Sequence, residues 1–237
     1  MAVVNTDAFY RYEEHRGMSG YKSALLVQEP GREKYSMLIA SETVPSIQGS
    51  QSTFEFDLLN SPVTGRIAGK SALEEKEVSC LLHRDNIWRF EQLRGKVLNF
   101  MYLTPDFVGY KFSGTVTFRP NDAEADVLRG TYTIVPMSAQ EKPILNVRDL
   151  VEETLCFALA IPENIKSGDK INLAVVQAEA NATYKQFVIN DNGEAGEGTP
   201  ITVSGGTATI TGTGLIGITA EAEGYAPWTT TVYVYGA

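Results

Sequence analysis

The chain has 237 residues, of which 43% are apolar, and a formal net charge of −9. This composition supports a packed core and excludes a largely disordered chain. The acidic balance argues against a protein that reads nucleic-acid sequence, because such a protein needs a basic surface for the phosphates. The length allows one large domain or two ordinary ones.

The sequence carries no targeting or membrane signal that we recognise. Residues 1–7 lack a basic start and an apolar run, so we expect no signal peptide, and no stretch reaches the length of a membrane-spanning helix. Cys80 and Cys156 lie in apolar, strand-like contexts. We expect buried free thiols there, because a disulfide would need an oxidising compartment.

The first 70 residues predict short strands separated by turns. Residues 21–29 and 35–47 are strand candidates, the second interrupted by Pro45. Residues 49–59 alternate strictly, with Phe54, Phe56 and Leu58 on one face and Thr53, Glu55 and Asp57 on the other.

Residues 74–137 organise the rest of the chain. A strand at 75–82 precedes a short helix at 85–93, for which Asp85 is the predicted N-cap and Gly95 the left-handed C-terminal residue. Three strands follow, at 96–104, 109–119 and 129–136. The helix carries an apolar stripe of Ile87, Phe90 and Leu93 and must therefore lie on a sheet.

The last two of these strands have two different faces. One face is apolar and contains Tyr110, Phe112, Val116 and Phe118. The opposite face carries short polar side chains: Ser113, Thr115, Thr117, Thr131 and Thr133. The first face predicts a core, and the second predicts a smooth, hydrated surface over which something passes.

The composition changes after residue 137. Residues 138–146 are a linker candidate, and 147–160 predict a short helix and then a strand that either unit could own. From residue 161 the charge thins, and six short strands spaced by turns are typical of a small β-sandwich. We place the domains at 1–155 and 156–237; a boundary as late as 160–162 also fits.

No residue set predicts catalysis. The sequence His83-Arg84-Asp85 matches the start of a kinase catalytic loop but lacks its phosphate loop and spaced Asn. Residues 190–194 only faintly match a calcium loop and predict a hairpin turn. Two histidines and two isolated cysteines do not suggest a metal site. We expect no catalytic, cofactor-binding or metal-binding residues, and a non-enzymatic building block.

The order of these features resembles a known family. The pattern Val-Pro-Ser-Ile at 44–47 leads into Phe-Glu-Phe-Asp at 54–57, the Asp-Asn helix ends in Leu-Arg-Gly at 93–95, and Gly-Thr-Tyr-Thr-Ile at 130–134 closes the block. Together they resemble the major tail protein, or tail tube protein, of long-tailed bacteriophages over roughly the first 140 residues. The second part resembles a bacterial Ig-like domain, most clearly at 206–214.

The resemblance implies a mainly β protein: a tail-tube-type β-sandwich or half-barrel with one short helix, followed by a small Ig-like β-sandwich. Such subunits form hexameric rings that stack into the tail tube of the virion, a conduit for genome ejection, with the Ig-like domain projecting outward. The implied partners are other copies of the chain, tape measure and tail terminator proteins, and genomic DNA that passes without specific binding. The implied location is the phage tail, assembled in the bacterial host cytoplasm, with no membrane and no cofactor.

The polar faces then become candidates for the tube lumen. An acidic, hydroxyl-rich wall would not hold DNA by releasing its counterions. The predicted lumen-lining residues are Thr53, Glu55, Asp57, Glu75, Glu77, Ser113, Thr115, Thr117, Thr131 and Thr133. We place Lys111 and Arg119 at seams between rings, paired to carboxylates. Alternation alone does not decide which face points inward.

Other functions fit parts of the sequence. A tube subunit of a related injection or gene-transfer particle would share the fold and the assembly but not the cargo. A surface-binding adhesin built from two β domains would be a secreted monomer with an aromatic binding patch. An enzyme is a third alternative, for which the sequence offers no site.

Overall fold

A computed structural model describes residues 23–39, 41, 44, 51–56, 65–71, 73–121, 128–138, 142–157, 164–177 and 179–236. Strands make up 53% of the structure, with several sheets and one α-helix among these residues, which confirms the mainly β prediction. No helix in the described ranges is long and apolar enough to cross a membrane.

Among the described residues, eight strands and one helix precede residue 137. They are β1 (Ala24–Gln28), β2 (Ser36–Met37), β3 (Gln51–Phe56), β4 (Gly65–Ser71), β5 (Lys76–Leu81), α1 (Arg84–Leu93), β6 (Val97–Leu103), β7 (Gly109–Pro120) and β8 (Arg129–Pro136). Six strands form one antiparallel sheet in the spatial order β2-β1-β6-β7-β8-β5. Among the described strands, β3 and β4 pair with each other, as a separate antiparallel sheet.

Helix α1 covers one face of the six-stranded sheet. The alternating apolar residues of β5, β7 and β8 bury there, as predicted from the sequence, and Phe90 packs among them. The ring of Phe90 stacks on Phe118, with centroids 4.7 Å apart, and lies 5.2 Å from Tyr132. Gly95 ends the helix region with a φ of 72°, in the predicted left-handed conformation.

Two details of the helix differ from the sequence prediction. His83 is the N-cap and makes no side-chain capping bond, so the prediction of Asp85 as the cap is wrong. The predicted stripe is rotated: Ile87 is 39% exposed, whereas Asn86 is buried and its Nδ2 donates to the Leu81 carbonyl at 2.7 Å. Helix α1 has contacts on two sides, because Asp85 also hydrogen-bonds residues of the second half of the chain. We attribute the rotated position of the apolar stripe to this second set of contacts.

The segment after β8 packs back onto the first sheet. Ile144 forms a β-bridge with Gly109, and Val147 is fully buried beside Met101. A short 3-10 helix (Arg148–Leu150) follows, and then β9 (Glu153–Thr154). The described part of the predicted linker, 142–146, therefore contacts the first sheet instead of spanning open space.

The second half of the chain is a β-sandwich. Its strands are β10 (Ile165–Lys166), β11 (Lys170–Asn172), β12 (Thr183–Ile189), β13 (Ala195–Gly196), β14 (Ile201–Ser204), β15 (Thr207–Ile210), β16 (Gly214–Glu221), β17 (Tyr225–Ala226) and β18 (Trp228–Tyr235). A five-stranded sheet, β10-β18-β16-β12-β13, faces a three-stranded sheet, β11-β15-β14, across a shared apolar core. Strand β17 instead pairs in parallel with β9.

The turn between β12 and β13 is the one predicted at residues 190–194. The Asn190 N–H donates to the Glu194 carbonyl at 3.0 Å, and Gly193 has a φ of 79°. The Asn190 side chain accepts from the backbone N–H of Asn192 and of Glu194. These polar groups close a hairpin and satisfy one another, as expected for a turn.

Candidate functional surfaces

Six of the ten predicted lumen residues lie together on the face of the six-stranded sheet that is turned away from α1. Cross-strand register aligns Glu77 with Thr133 and Thr133 with Thr117 in one row. We call this surface the open face; its residues are Glu77, Ser79, Leu81, Val97, Asn99, Ser113, Thr115, Thr117, Arg119, Arg129, Thr131, Thr133 and Val135. Alternation places them opposite the buried cluster beneath α1.

Of the other four predicted residues, three lie outside the strands of the six-stranded sheet, and the fourth is not among the described residues. Glu75 is exposed in the stretch just before β5. Glu55 is exposed on β3, and Thr53 pairs with Ala68 within the separate β3–β4 sheet. Asp57 lies outside the described residues. Sequence alternation found the polar face of each strand but could not tell that β3 belongs to a different sheet.

Two opposite charges of the open face pair within one chain. Arg119 Nη2 lies 3.0 Å from Glu77 Oε1, and both side chains are more than half exposed. Such an exposed pair adds little stability. The open face is rich in hydroxyls, and its strand residues carry two arginines, Arg119 and Arg129, against one glutamate, whereas the sequence predicted an acidic wall. Lys111 is not at this pair: its ammonium lies 5.4 Å from the centre of the Tyr35 ring.

The sequence analysis missed an apolar strip on the open face. Val97 on β6 and Val135 on β8 flank Thr115 from either side, and Val97 is 61% exposed. Met137, just after β8, is 59% exposed, and its N–H donates to the Ser113 carbonyl. The alternation of β6 carries the signal, because Val97 and Asn99 have the opposite parity to the buried Leu98.

A second surface, between α1 and the second sandwich, was not predicted. Asp85 accepts three hydrogen bonds there: from Thr230 Oγ1 at 2.9 Å, and from the N–H and Oγ1 of Thr231, both at 2.7 Å. We call this contact the helix junction, formed by Asp85, Trp88, Arg89 and Gln92 with Phe187, Gly193, Trp228, Thr230 and Thr231. An acidic residue in the first turn of a helix is typical of a helix cap, so the sequence did not indicate that Asp85 contacts a distant strand.

Arg89 is the buried cation of the helix junction. Its Nη2 lies 2.6 Å from Glu29 Oε1 and donates to the Met37 carbonyl at 3.2 Å. The guanidinium carbon also lies 4.6 Å from the centre of the Trp228 ring. Burial lowers the pKa of Arg89 from its ordinary value, and the neighbouring Glu29 carboxylate opposes this shift.

Two cavities lie beside these contacts. An open polar crevice of about 510 Å³ is lined by Arg32, Thr183, Glu221 and Tyr225, among others. A smaller one of about 200 Å³ borders Trp88, Arg89, Trp228 and Thr229. Within the described ranges no three His, Cys, Asp or Glu residues come together as a metal site. Asp85 of the kinase-like sequence at 83–85 accepts the three hydrogen bonds from Thr230 and Thr231 described above.

No protein-family model matches the sequence, and no curated protein shows significant similarity to it.

Proposed function

We propose that the protein is a structural subunit of a phage tail tube, which forms hexameric rings that stack around a channel for the genome. The observation that carries the proposal is the open face. Five of its residues, from Ser113 to Thr133, are Ser or Thr on two adjacent strands, and Arg119, one of its two arginines, is paired to its one glutamate. The resemblance of residues 44–134 to tail tube proteins supports the same function.

The chemistry of the open face suits a wall along which DNA slides. A protein that neutralises phosphates with Lys or Arg releases counterions and binds DNA. Here Arg119 already has a carboxylate partner, and the neighbouring Thr117 and Thr133 present only short hydroxyl side chains. Such a wall offers mainly water-exchangeable hydrogen bonds to DNA. Its two arginines, Arg119 and Arg129, lie where β7 ends and β8 begins, and not along the length of the wall.

The arrangement of layers is also compatible with a ring. The open face and the helix junction lie on opposite sides of the six-stranded sheet, so a channel lined by the open face would leave the second sandwich outside. Strand β5 is the last strand of that sheet among the described residues, and on its outer edge the chain itself contributes only the single β-bridge of Ser41 to Cys80 within those residues. A terminal strand can continue the sheet into a neighbouring copy, and closing the sheet into a barrel removes exposed edges.

Assembly of the purified full chain is the first test. We expect hexameric rings or tubes by negative-stain electron microscopy, and fast-sedimenting species that grow with concentration in sedimentation velocity. A chain that sediments only as a monomer over a wide concentration range, with no rings or tubes on the grid, contradicts the proposal. That result would favour a two-domain binding protein.

The second test asks whether the open face lines the channel. The double substitution Thr117→Lys and Thr133→Lys adds two cations per chain to the open face; Thr202→Lys and Thr183→Lys add two to exposed positions of the second sandwich. Tubes of the first variant should retain duplex DNA that resists nuclease, and the retained amount should fall steeply with salt. The control tubes should bind DNA only in a nuclease-sensitive form. Equal nuclease protection in the two variants contradicts the assignment.

A further inference from the structure

Helix α1 contacts both halves of the chain, with different sides of the same three turns. Phe90 and Leu93 are buried against the six-stranded sheet. Asp85, Trp88 and Arg89 contact strands of the second sandwich or residues at their ends. The two halves are therefore joined through one rigid element as well as through the chain that connects them.

We propose that α1 holds the second sandwich in one fixed orientation relative to the six-stranded sheet, with Asp85 and Arg89 as the positioning residues. The proposal goes beyond tube formation and does not depend on it. A sandwich attached only by its connecting chain would sample many orientations, as is the default for domains with small polar contacts. A sandwich held by α1 would present its outer surface in a constant direction.

The Asp85 contact fixes both position and direction. One carboxylate oxygen accepts from the backbone N–H of Thr231, so the contact is made to the β18 backbone itself and not only to movable side chains. The hydroxyls of Thr230 and Thr231 complete the set. Hydrogen bonds to an ionised acceptor are short and directional, so tilting the strand against the helix would break them.

Arg89 ties three elements at one point. Its guanidinium contacts Glu29 just after β1, the Met37 carbonyl in β2 and the ring of Trp228 at the start of β18. The planar guanidinium satisfies these contacts only in one orientation. If the second sandwich moved away, Trp228 would no longer shield the Arg89–Glu29 pair from solvent.

A third contact completes the geometry. Arg32 pairs with Glu152 at 2.7 Å and also donates to the Tyr225 carbonyl at 3.3 Å. The contacts to Thr231, Trp228 and Tyr225 start from three different residues of the first half. Three separate contacts restrict rotation of the second sandwich more than one contact would, because a single contact can act as a hinge.

Distances between two spin labels test the proposal on the full chain. Labels are attached at Asn99→Cys on β6 and Thr202→Cys on β14, two exposed strand positions, in a Cys156→Ser background; Cys80 is fully buried. Labelled chains are diluted into unlabelled ones so that only distances within one chain are seen. We expect a single narrow distance distribution that broadens and shifts in Asp85→Ala.

Two further variants make the result specific. Glu91→Ala removes an exposed partner of Arg94 from the same helix, so it changes helix charge without touching the junction, and it should leave the distribution narrow. The near-isosteric pair Thr230→Val and Thr231→Val removes two donors to Asp85 from the opposite side and should broaden the distribution less than Asp85→Ala. A broad distribution in the parent chain, or narrow ones in all folded junction variants, overturns the proposal.

Discussion

The two sides of helix α1 hold their neighbours by different means. Toward the six-stranded sheet, Phe90 is 2% exposed and sits between the rings of Phe118 and Tyr132. Toward the second sandwich, the main contacts are the carboxylate of Asp85 and the guanidinium of Arg89. The same ten-residue helix thus combines an apolar interface with a polar one.

The two sides of α1 therefore contribute differently: the apolar side to the stability of the fold, and the polar side to the orientation of the second sandwich. Burial of apolar area is favourable but non-directional, so the sheet side supplies most of the free energy that holds α1 in place. Buried charge pairs gain much less, because desolvation offsets their attraction. Their strict geometry instead selects one arrangement of the two halves. The following substitutions act on one side or the other, in order of decreasing expected effect.

Phe90→Ala should have the largest effect. It removes a buried ring and leaves a cavity between two aromatic neighbours, so we expect a loss of about 3–5 kcal/mol in the free energy of unfolding. Urea unfolding followed by far-UV circular dichroism measures it. Ile87→Ala on the same helix is the matched control: this side chain is 39% exposed, and its truncation should cost under about 1 kcal/mol. Equal losses in the two variants would show that the sheet side does not dominate.

Gly217→Ala should disturb the helix junction indirectly, through the ring of Phe187. A Cβ at this position would lie 2.2 Å from a ring carbon of Phe187, which packs against Trp88 with centroids 5.6 Å apart. The ring must move, and overpacking of this kind costs about 1–3 kcal/mol. We expect a lower thermal unfolding temperature and altered Trp fluorescence. Gly196→Ala, where the nearest atom is the Val188 carbonyl oxygen at 3.7 Å, should change neither.

The apolar side was predictable and the polar side was not. Alternation along β7 fixes which residues share a face, so Phe112 and Val116 could be assigned to the core from sequence alone. The same rule placed Thr117 and Thr133 on the polar face. Periodicity is a property of one strand, and the sequence of that strand is enough to reveal it.

Contacts between distant segments carry no such local signal. Asp85 and Thr231 are separated by 146 residues, and nothing near either residue indicates the other. The pairing of Arg119 with Glu77 likewise depends on the register of two strands with β8 between them. Alternation therefore grouped the polar residues of β7 and β8 correctly, whereas the pairing of their charges needed the three-dimensional structure.

Tyr132→Phe tests how much the phenol hydroxyl of Tyr132, whose ring packs against Phe90, contributes to stability. The phenol hydrogen-bonds Ser41 at 2.7 Å, and its loss should cost about 1 kcal/mol at neutral pH. Burial raises the pKa of Tyr132 well above its ordinary value, with a smaller opposing effect of the Ser41 hydrogen bond. The unfolded chain releases this proton above about pH 10 while the folded chain keeps it, so stability falls as pH rises further.

The pH dependence distinguishes this effect from lost packing. In the parent chain, the slope from Tyr132 approaches about 1.4 kcal/mol per pH unit above pH 10, and Tyr132→Phe should remove it. Urea unfolding at pH 8 and at pH 10.5 measures the difference. The half-exposed Tyr233→Phe is the control. An unchanged slope in Tyr132→Phe would mean that other groups cause the alkaline loss of stability.

The smallest effect concerns Cys156, a thiol near Arg89 at the edge of the junction, which is exposed and not buried as predicted. Partial burial of the thiol raises its pKa, the Glu153 carboxylate raises it further, and Arg89 acts in the opposite direction. The thiolate is the reactive form, so alkylation by iodoacetamide at pH 8 should be slower than for a free thiol, and its rate should keep rising beyond pH 9.

Glu153→Gln can still accept the hydrogen bond from Gln177 Nε2, yet it removes the charge and should speed alkylation of Cys156 at pH 8 severalfold. Glu197→Gln, at an exposed site of the second sandwich, should not change the rate, and Cys80 should stay unreactive while the chain is folded. If Glu153→Gln leaves the rate at pH 8 unaltered, burial alone controls the thiol, and the charges at this edge of the junction do not act on it.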